Sequence, residues 1–434
     1  MMRRLPAAIL ALGLSACGGS PAPAKPSPPP VTHDYAAELL ALDADIAAAR
    51  RHAEDTPNSW MALEQVAQLQ LTRAQLAGDY RDYVAAGDTL RAAMARATPP
   101  GGPCRSRMRH ALSVHRVPEA AALQTACRNP LDPLDPADLL LAGDIARQQG
   151  RYAEAMAQYR TVSLYRDGPE PLLRLALLHA HTGAPAEADA LLEQAERQST
   201  HATAQLRAWI ALQRGLLQLD RGRLDQAGQH YRRADALLPG WWLVEEHLAE
   251  LLALEGQDDA ARRAYEAIVA RTGNPEFMDA LAQLEQGAGR PEPARQWRER
   301  ARSAYRERMA LLPEAAFGHA LEHFLQAPED AAELLQLAQR NVALRPDGEA
   351  LSLLALAQLR NGDRSGALRS IERLLQSGWS TAPAHFVAYE VLQSAGRSEA
   401  AEAQRQRALA LNPRAAKMYA QAWLAGPALA VRQP

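Results

Sequence analysis

The chain has 434 residues, 23% of them charged, with 48 Lys and Arg against 50 Asp and Glu and a formal net charge of −2. That balance excludes a basic field for gathering nucleic acid and an acidic solvating tail. Alanine is about one residue in five, aromatics are 5%, β-branched residues are scarce and no stretch alternates long enough for a strand, so the expected fold class is all-α.

In chain order, residues 1–16 read as an address. Arg3 and Arg4 precede an apolar run from Leu5 to Leu14, and small residues follow, which is the order of a secretory signal. The run is about half of the ~20 residues a membrane-spanning helix needs. Leu14-Ser15-Ala16-Cys17 resembles the bacterial lipobox. That resemblance implies cleavage before Cys17 and lipid on it. With Gly18 where an aspartate would retain the protein in the inner membrane, it also implies the outer membrane, facing the periplasm. The alternative is an ordinary secretory signal with an incidental cysteine. Residues 17–33 then form a tether in which six of the ten residues from Pro21 to Pro30 are proline, an extended polyproline II spacer rising ~3.1 Å per residue.

Residues 34–135 read as an N-terminal helical region. Tyr35 to Arg96 is helical, with "SWMALEQVAQLQLTRAQL" and "YRDYVAAGDTLRAAMARA" as a long, degenerate hairpin. Beyond it, Cys104 and Cys127 remain as an even pair once Cys17 is lipidated, and a disulfide between them suits an oxidising compartment. They bracket two short helices turning at Val117-Pro118. A metal site with His110 and His115 is the alternative, although the spacing fits no zinc pattern. Arg105, Arg107, Arg109, Arg116 and Arg128 cluster here, either as a solvated basic face or as a contact for lipid phosphates or an anionic glycan.

Residues 136–413 repeat. Gly150, Gly183, Gly222, Gly256, Gly289, Gly362 and Gly396 are each followed five residues later by alanine: Ala155, Ala188, Ala227, Ala261, Ala294, Ala367 and Ala401. Seven residues before the glycine stands another small residue (Gly143, Ala176, Gly215, Ala249, Ala282, Ala355), with Tyr389 as the exception. The pattern describes two antiparallel helices joined by a glycine turn, with Tyr159, Tyr231 and Tyr265 filling the space between neighbouring hairpins. Successive glycines are 33, 39, 34 and 33 residues apart, then 73 across two repeats, then 34. The 39-residue step marks an insertion around Ser199 to Ala204, and the missing glycine is expected near Glu329. Pro239, Pro346 and Pro413 end second helices.

This pattern resembles the tetratricopeptide repeat. The resemblance implies an α-solenoid, a right-handed superhelix of about eight stacked hairpins over 136–413, with residues 414–434 ("RAAKMYAQAWLAG" and its tail) as a capping helix. It also implies that the first helices line a concave groove for protein or peptide partners. Counting back from the turn glycines places Trp209, Leu212, Leu216 and Leu219 as an apolar stripe on that face, beside acids Glu246, Glu250, Glu276 and Asp279. Together they would suit an amphipathic or basic segment. The plain alternatives are a buried core stripe and a solvated acidic face.

No phosphate-binding loop, dinucleotide fingerprint or nucleophile elbow occurs. "HALEH", His319 to His323, matches the inverted zinc-peptidase motif, with His319, Glu322 and His323 as its residues and Glu390 or Glu399 as a further ligand. It falls in the first helix of a repeat, in a chain without the strands such enzymes use. The expectation is therefore a non-enzymatic adaptor without cofactor or metal. It would bind proteins through the groove and the membrane through its lipid, in envelope, pilus, secretin or cell-wall assembly.

Overall fold

A computed structural model describes residues 34–98, 101–127, 132–326, 331–416 and 418. The signal, Cys17, the tether, Arg128, the turn near Glu329 and nearly all of the capping segment lie outside the described residues. The N-terminal region holds α1 (Tyr35–Asp55), α2 (Trp60–Ala77), α3 (Tyr80–Arg96), α4 (Cys104–Ser113) and α5 (Val117–Ala126). Eight hairpins follow: α6 (Pro136–Gln148) with α7 (Tyr152–Tyr165), α8 (Pro169–His181) with α9 (Pro185–Gln198), and α10 (Ala204–Asp220) with α11 (Leu224–Leu237). Next come α12 (Trp242–Leu254) with α13 (Asp258–Thr272) and α14 (Pro275–Gly287) with α15 (Pro291–Leu311). The last are α16 (Pro313–Gln326) with α17 (Ala331–Leu344), α18 (Gly348–Arg360) with α19 (Arg364–Gln376), and α20 (Ala382–Ser394) with α21 (Ser398–Leu411). Among the described residues there is no strand, only one isolated bridge between Thr182 and Ser380. No described helix is long and apolar enough to cross a membrane.

The repeat pattern has a direct steric meaning. All seven alanines five residues after a turn glycine have no exposed surface. A Cβ on Gly143 would stand 2.3 Å from the Tyr159 ring, and one on Gly215 would stand 2.2 Å from Tyr231. The tyrosines therefore fill space inside their own hairpin, not between neighbours as the sequence suggested. Tyr159 then links to the next hairpin, because its hydroxyl donates to Asp144 (2.7 Å) and Arg174 of α8 donates to the same carboxylate (3.0 Å). Helix starts carry the expected caps: Asp34, Ser59, Asp135, Thr203, Asp347 and Thr381 each accept a backbone N–H of the first turn. The 39-residue step is accounted for by α10, which at 17 residues is a turn longer than the 13-residue α8 and α12.

The superhelix is wound tightly enough to touch itself. Each early hairpin turn meets the loop that opens the hairpin six further on. Arg116, before α5, pairs with Glu314 of α16 at 3.1 Å. Tyr152, after the Gly150 turn, accepts the N–H of Gly348 at the start of α18 (2.9 Å). The Ser380 N–H, before α20, donates to the His181 carbonyl (2.8 Å), and Trp379 stacks on His181 with ring centroids 4.4 Å apart. Gly222 lies against Asn412. The N-terminal helices join the same contacts: the indole N–H groups of Trp241 and Trp242 donate to the Leu76 carbonyl (3.2 and 3.1 Å), and the Tyr80 hydroxyl donates to the Ala315 carbonyl (3.3 Å).

Cys104 and Cys127 form a disulfide, with Cα atoms 6.1 Å apart. The turn between α4 and α5 is at His115, which has a left-handed backbone, just before the expected Val117-Pro118, and Pro118 sits inside the first turn of α5. His110 Nε2 is hydrogen-bonded to the Tyr83 carbonyl (2.9 Å), so it faces the protein and not a shared ligand site with His115.

Candidate functional site

Four carboxylates that the repeat pattern assigns to the inner helices come together, but not as a solvated face. Glu246 and Glu250 on α12 and Glu276 on α14 are 3%, 2% and 8% exposed. Each is held by a cation or imidazole. Arg308 Nη1 donates to both oxygens of Glu276 (3.0 Å each) while its Nη2 reaches Asn274 Oδ1 (2.6 Å). The Arg308 guanidinium lies 4.8 Å from the centre of the Tyr80 ring, so α3 closes over this pair. Burial alone would raise the Glu276 carboxyl, but Arg308 and then His319 outweigh it and hold the pKa below the ordinary value. His247 stands between the other two acids, with Nε2 3.1 Å from Glu246 and Nδ1 3.2 Å from Glu250, and its ring stacks on Tyr231.

A small pocket of about 30 Å³ opens among these side chains. Glu246, Glu276, Asp279 and Glu322 supply carboxylates to its wall, and Phe277, Tyr265 and Tyr305 supply aromatic surface. The volume suits one water or one ammonium head. Burial pushes Glu246 up to about 8; His247 opposes this, and Glu250 and Glu276 add to it.

The apolar stripe is corrected by the structure. Trp209, Leu212 and Leu219 are buried and Leu216 is half-buried, so they form core and not an open groove. The reason is the tight winding: Trp209 packs on Trp241 (6.4 Å between rings), and Trp241 in turn is tied to Leu76 of α2. Apolar side chains of this size gain more from that cover than from remaining in water.

The two histidines of "HALEH" share a face of α16, and that face points at α14. His319 Nδ1 is 3.4 Å from Glu276, and His323 Nδ1 is hydrogen-bonded to Asp279 (2.7 Å). Burial, helped by Arg308 and Arg345, pushes His319 below its usual pKa despite Glu276. The motif and the acidic patch, which the sequence treated separately, are one cluster. Among the described residues no three His, Cys, Asp or Glu side chains are grouped to hold a metal ion. The arginines near the disulfide do not make one basic face: Arg105 pairs with Asp135 and Asp138, and Arg116 pairs with Glu314. His247, Arg308 and Tyr80 were not foreseen. The signal for Arg308 was the 73-residue double step, because α15 runs to 21 residues and carries Arg308 on its extension.

Paired helices, buried small residues at the repeat positions and stacked hairpins make the fold. It is a tetratricopeptide-type α-solenoid. No protein-family model matches the chain, and no curated protein matches it. Among solved structures it is similar to PilW, described as a widely conserved type IV pilus biogenesis factor. That match has 17% identity and a TM-score of 0.40, over 46% of this chain and 91% of that one. It is similar to a tetratricopeptide repeat protein from Parabacteroides merdae, with 16% identity and a TM-score of 0.32 over 56% and 93%. It is also similar to the Rap conjugation gene regulator of plasmid pLS20 bound to the Phr* peptide, with 12% identity and a TM-score of 0.41 over 78% and 91%. These likenesses are too distant to carry a function to this chain.

Proposed function

We propose that the chain is a non-enzymatic adaptor of the bacterial envelope that seats a lysine side chain of a partner protein in the acidic pocket. The observation that carries this reading is the pocket itself: four carboxylates around a space the size of one ammonium head, with aromatic walls for the aliphatic stem. We further propose that lipid on Cys17 holds it at the outer membrane, on the periplasmic side, and that its setting is envelope, pilus, secretin or cell-wall assembly. The signal-like order of residues 1–17 supports that address. The alternative, an anionic glycan or lipid bound by the arginine hairpin, loses support from the pairing of Arg105 and Arg116 with carboxylates.

The test uses calorimetric titration with peptides that differ only in one lysine replaced by norleucine. A preference of at least about tenfold for lysine, lost in the double variant Asp279→Asn with Glu322→Gln, is expected. Equal binding of both peptides, or no effect of the variant, would refute the pocket reading. The address has its own test: Cys17→Ser should move the protein from the membrane to the soluble fraction, and retention on the membrane would overturn it.

A further inference from the structure

A second cavity, of about 510 Å³, lies between α2, α4 and the start of α6, with the Cys104–Cys127 disulfide in its wall. It shares no residue with the acidic pocket. Its wall holds two opposite charges that do not neutralise each other. Glu64 accepts the Ser106 hydroxyl (2.6 Å), and Gln68 donates to that same hydroxyl (3.0 Å), but no cationic side chain lies within 4.0 Å of Glu64 among the described residues. Arg109 has no carboxylate within 4.0 Å among the described residues, unlike its neighbour Arg105. Its guanidinium is instead pushed below its ordinary pKa by burial and then by Arg174, which outweigh the more distant Glu170 and Asp144. In the same wall, Trp60 and Met108 offer apolar surface. α4 begins at the cavity with no side-chain cap on its first turn, which adds positive potential there.

A half-buried carboxylate and a half-buried guanidinium held apart are each under-compensated. One small molecule carrying both complementary charges satisfies both at once. We propose that this cavity binds a small zwitterion with an apolar side chain, a free amino acid or short peptide, with its ammonium group on Glu64, its carboxylate on Arg109 and its side chain against Trp60 and Met108. The site is concave, mixed in polarity and large enough for such a ligand.

The experiment is calorimetric titration of the full-length protein with leucine, leucinamide and N-acetylleucine. Leucine should bind at least about tenfold more tightly than either derivative, since each lacks one charge. Glu64→Gln, which can still accept the Ser106 hydroxyl, should weaken leucine and leucinamide and leave N-acetylleucine unchanged. Arg109→Met should do the converse, weakening leucine and N-acetylleucine only. A mere packing role would not produce this crossed pattern. Absence of binding by all three probes, or affinities indifferent to which charge is removed, would overturn the proposal. Asp279→Asn should leave all three affinities as they are, so the outcome is separate from that of the acidic pocket.

Discussion

The hairpin turns at Gly150, Gly183 and Gly222 and those at Gly256, Gly289, Gly362 and Gly396 carry the same local signal but have opposite surroundings. The first three are pressed against residues about 190 positions later; the other four have no atom within 4 Å of where a Cβ would stand. One set is an interface between successive turns of the superhelix, and the other is an open rim. What distinguishes them is not in the turns but in the loops they meet. Asp347, Trp379 and Asn412 are buried there, whereas the loop at Arg166 and Asp167, which meets no such turn, is exposed and charged. Self-contact of this kind buries Trp241 against Leu76 and, through it, the Trp209 end of the apolar stripe.

The largest expected effect comes from removing the aromatic anchor of that interface. Trp379→Ala deletes the stack on His181 and the packing on Tyr152, and should cost ~3–5 kcal/mol. Hydrogen exchange should show α6 to α9 and α18 to α20 opening together; loss confined to α20 would break the comparison. Replacing Cys104 and Cys127 by serine should cost about 3 kcal/mol for a separation of 23 residues. The loss should loosen α4 and α5 and leave the rim hairpins unchanged. Gly150→Ala against Gly396→Ala is the sharpest pair. Both have a left-handed backbone worth ~1–2 kcal/mol. Only Gly150 also meets the Pro346 carbonyl, where a Cβ would lie 2.9 Å away, and this should add ~1–3 kcal/mol, read as a lower melting temperature. Equal melting temperatures would show that the interface yields freely.

The smallest effect is on pH dependence. Burial raises Glu246 from its ordinary 4.5 to about 8, so the folded state favours the bound proton, and stability falls as pH rises through that window. Glu349 and Glu390, raised by burial, act in the same direction. Buried His181, pushed down to about 3 from 6.5, loses stability as pH falls below 6.5, and His115, His319 and His385 act with it. Thermal stability should therefore peak near pH 6.5 and decline toward pH 8, with Glu246→Gln reducing the decline. An unchanged decline would assign it elsewhere.

Much of the fold was legible because it depends on short-range sterics. Gly143 beneath Tyr159 recurs as Gly215 beneath Tyr231, alanine at the Ala155 position is buried in all seven repeats that have a turn glycine, and such a period is visible in one dimension. The site was legible only in its parts. Glu276, Asp279, His319 and His323 were all noticed, yet their pairing spans two hairpins and follows from the crossing of α14 and α16. The burial of Trp209 depends on Trp241 and Leu76, contacts that no periodicity within a repeat can report. The added turn of α10 and the extension of α15 were visible as irregular spacings, and the second of these brings in Arg308.

The most direct test of the acidic pocket as a partner site is photocrosslinking in intact cells from a reactive side chain placed at Gln283, in the pocket wall, followed by mass spectrometry of the crosslinked peptide. The expected product joins Gln283 to a segment of another protein within one or two residues of a lysine, and its yield falls when Asp279→Asn and Glu322→Gln are added. Crosslinks only to residues of the same chain, or to partner segments without a basic side chain, would contradict a pocket that receives a partner's cation.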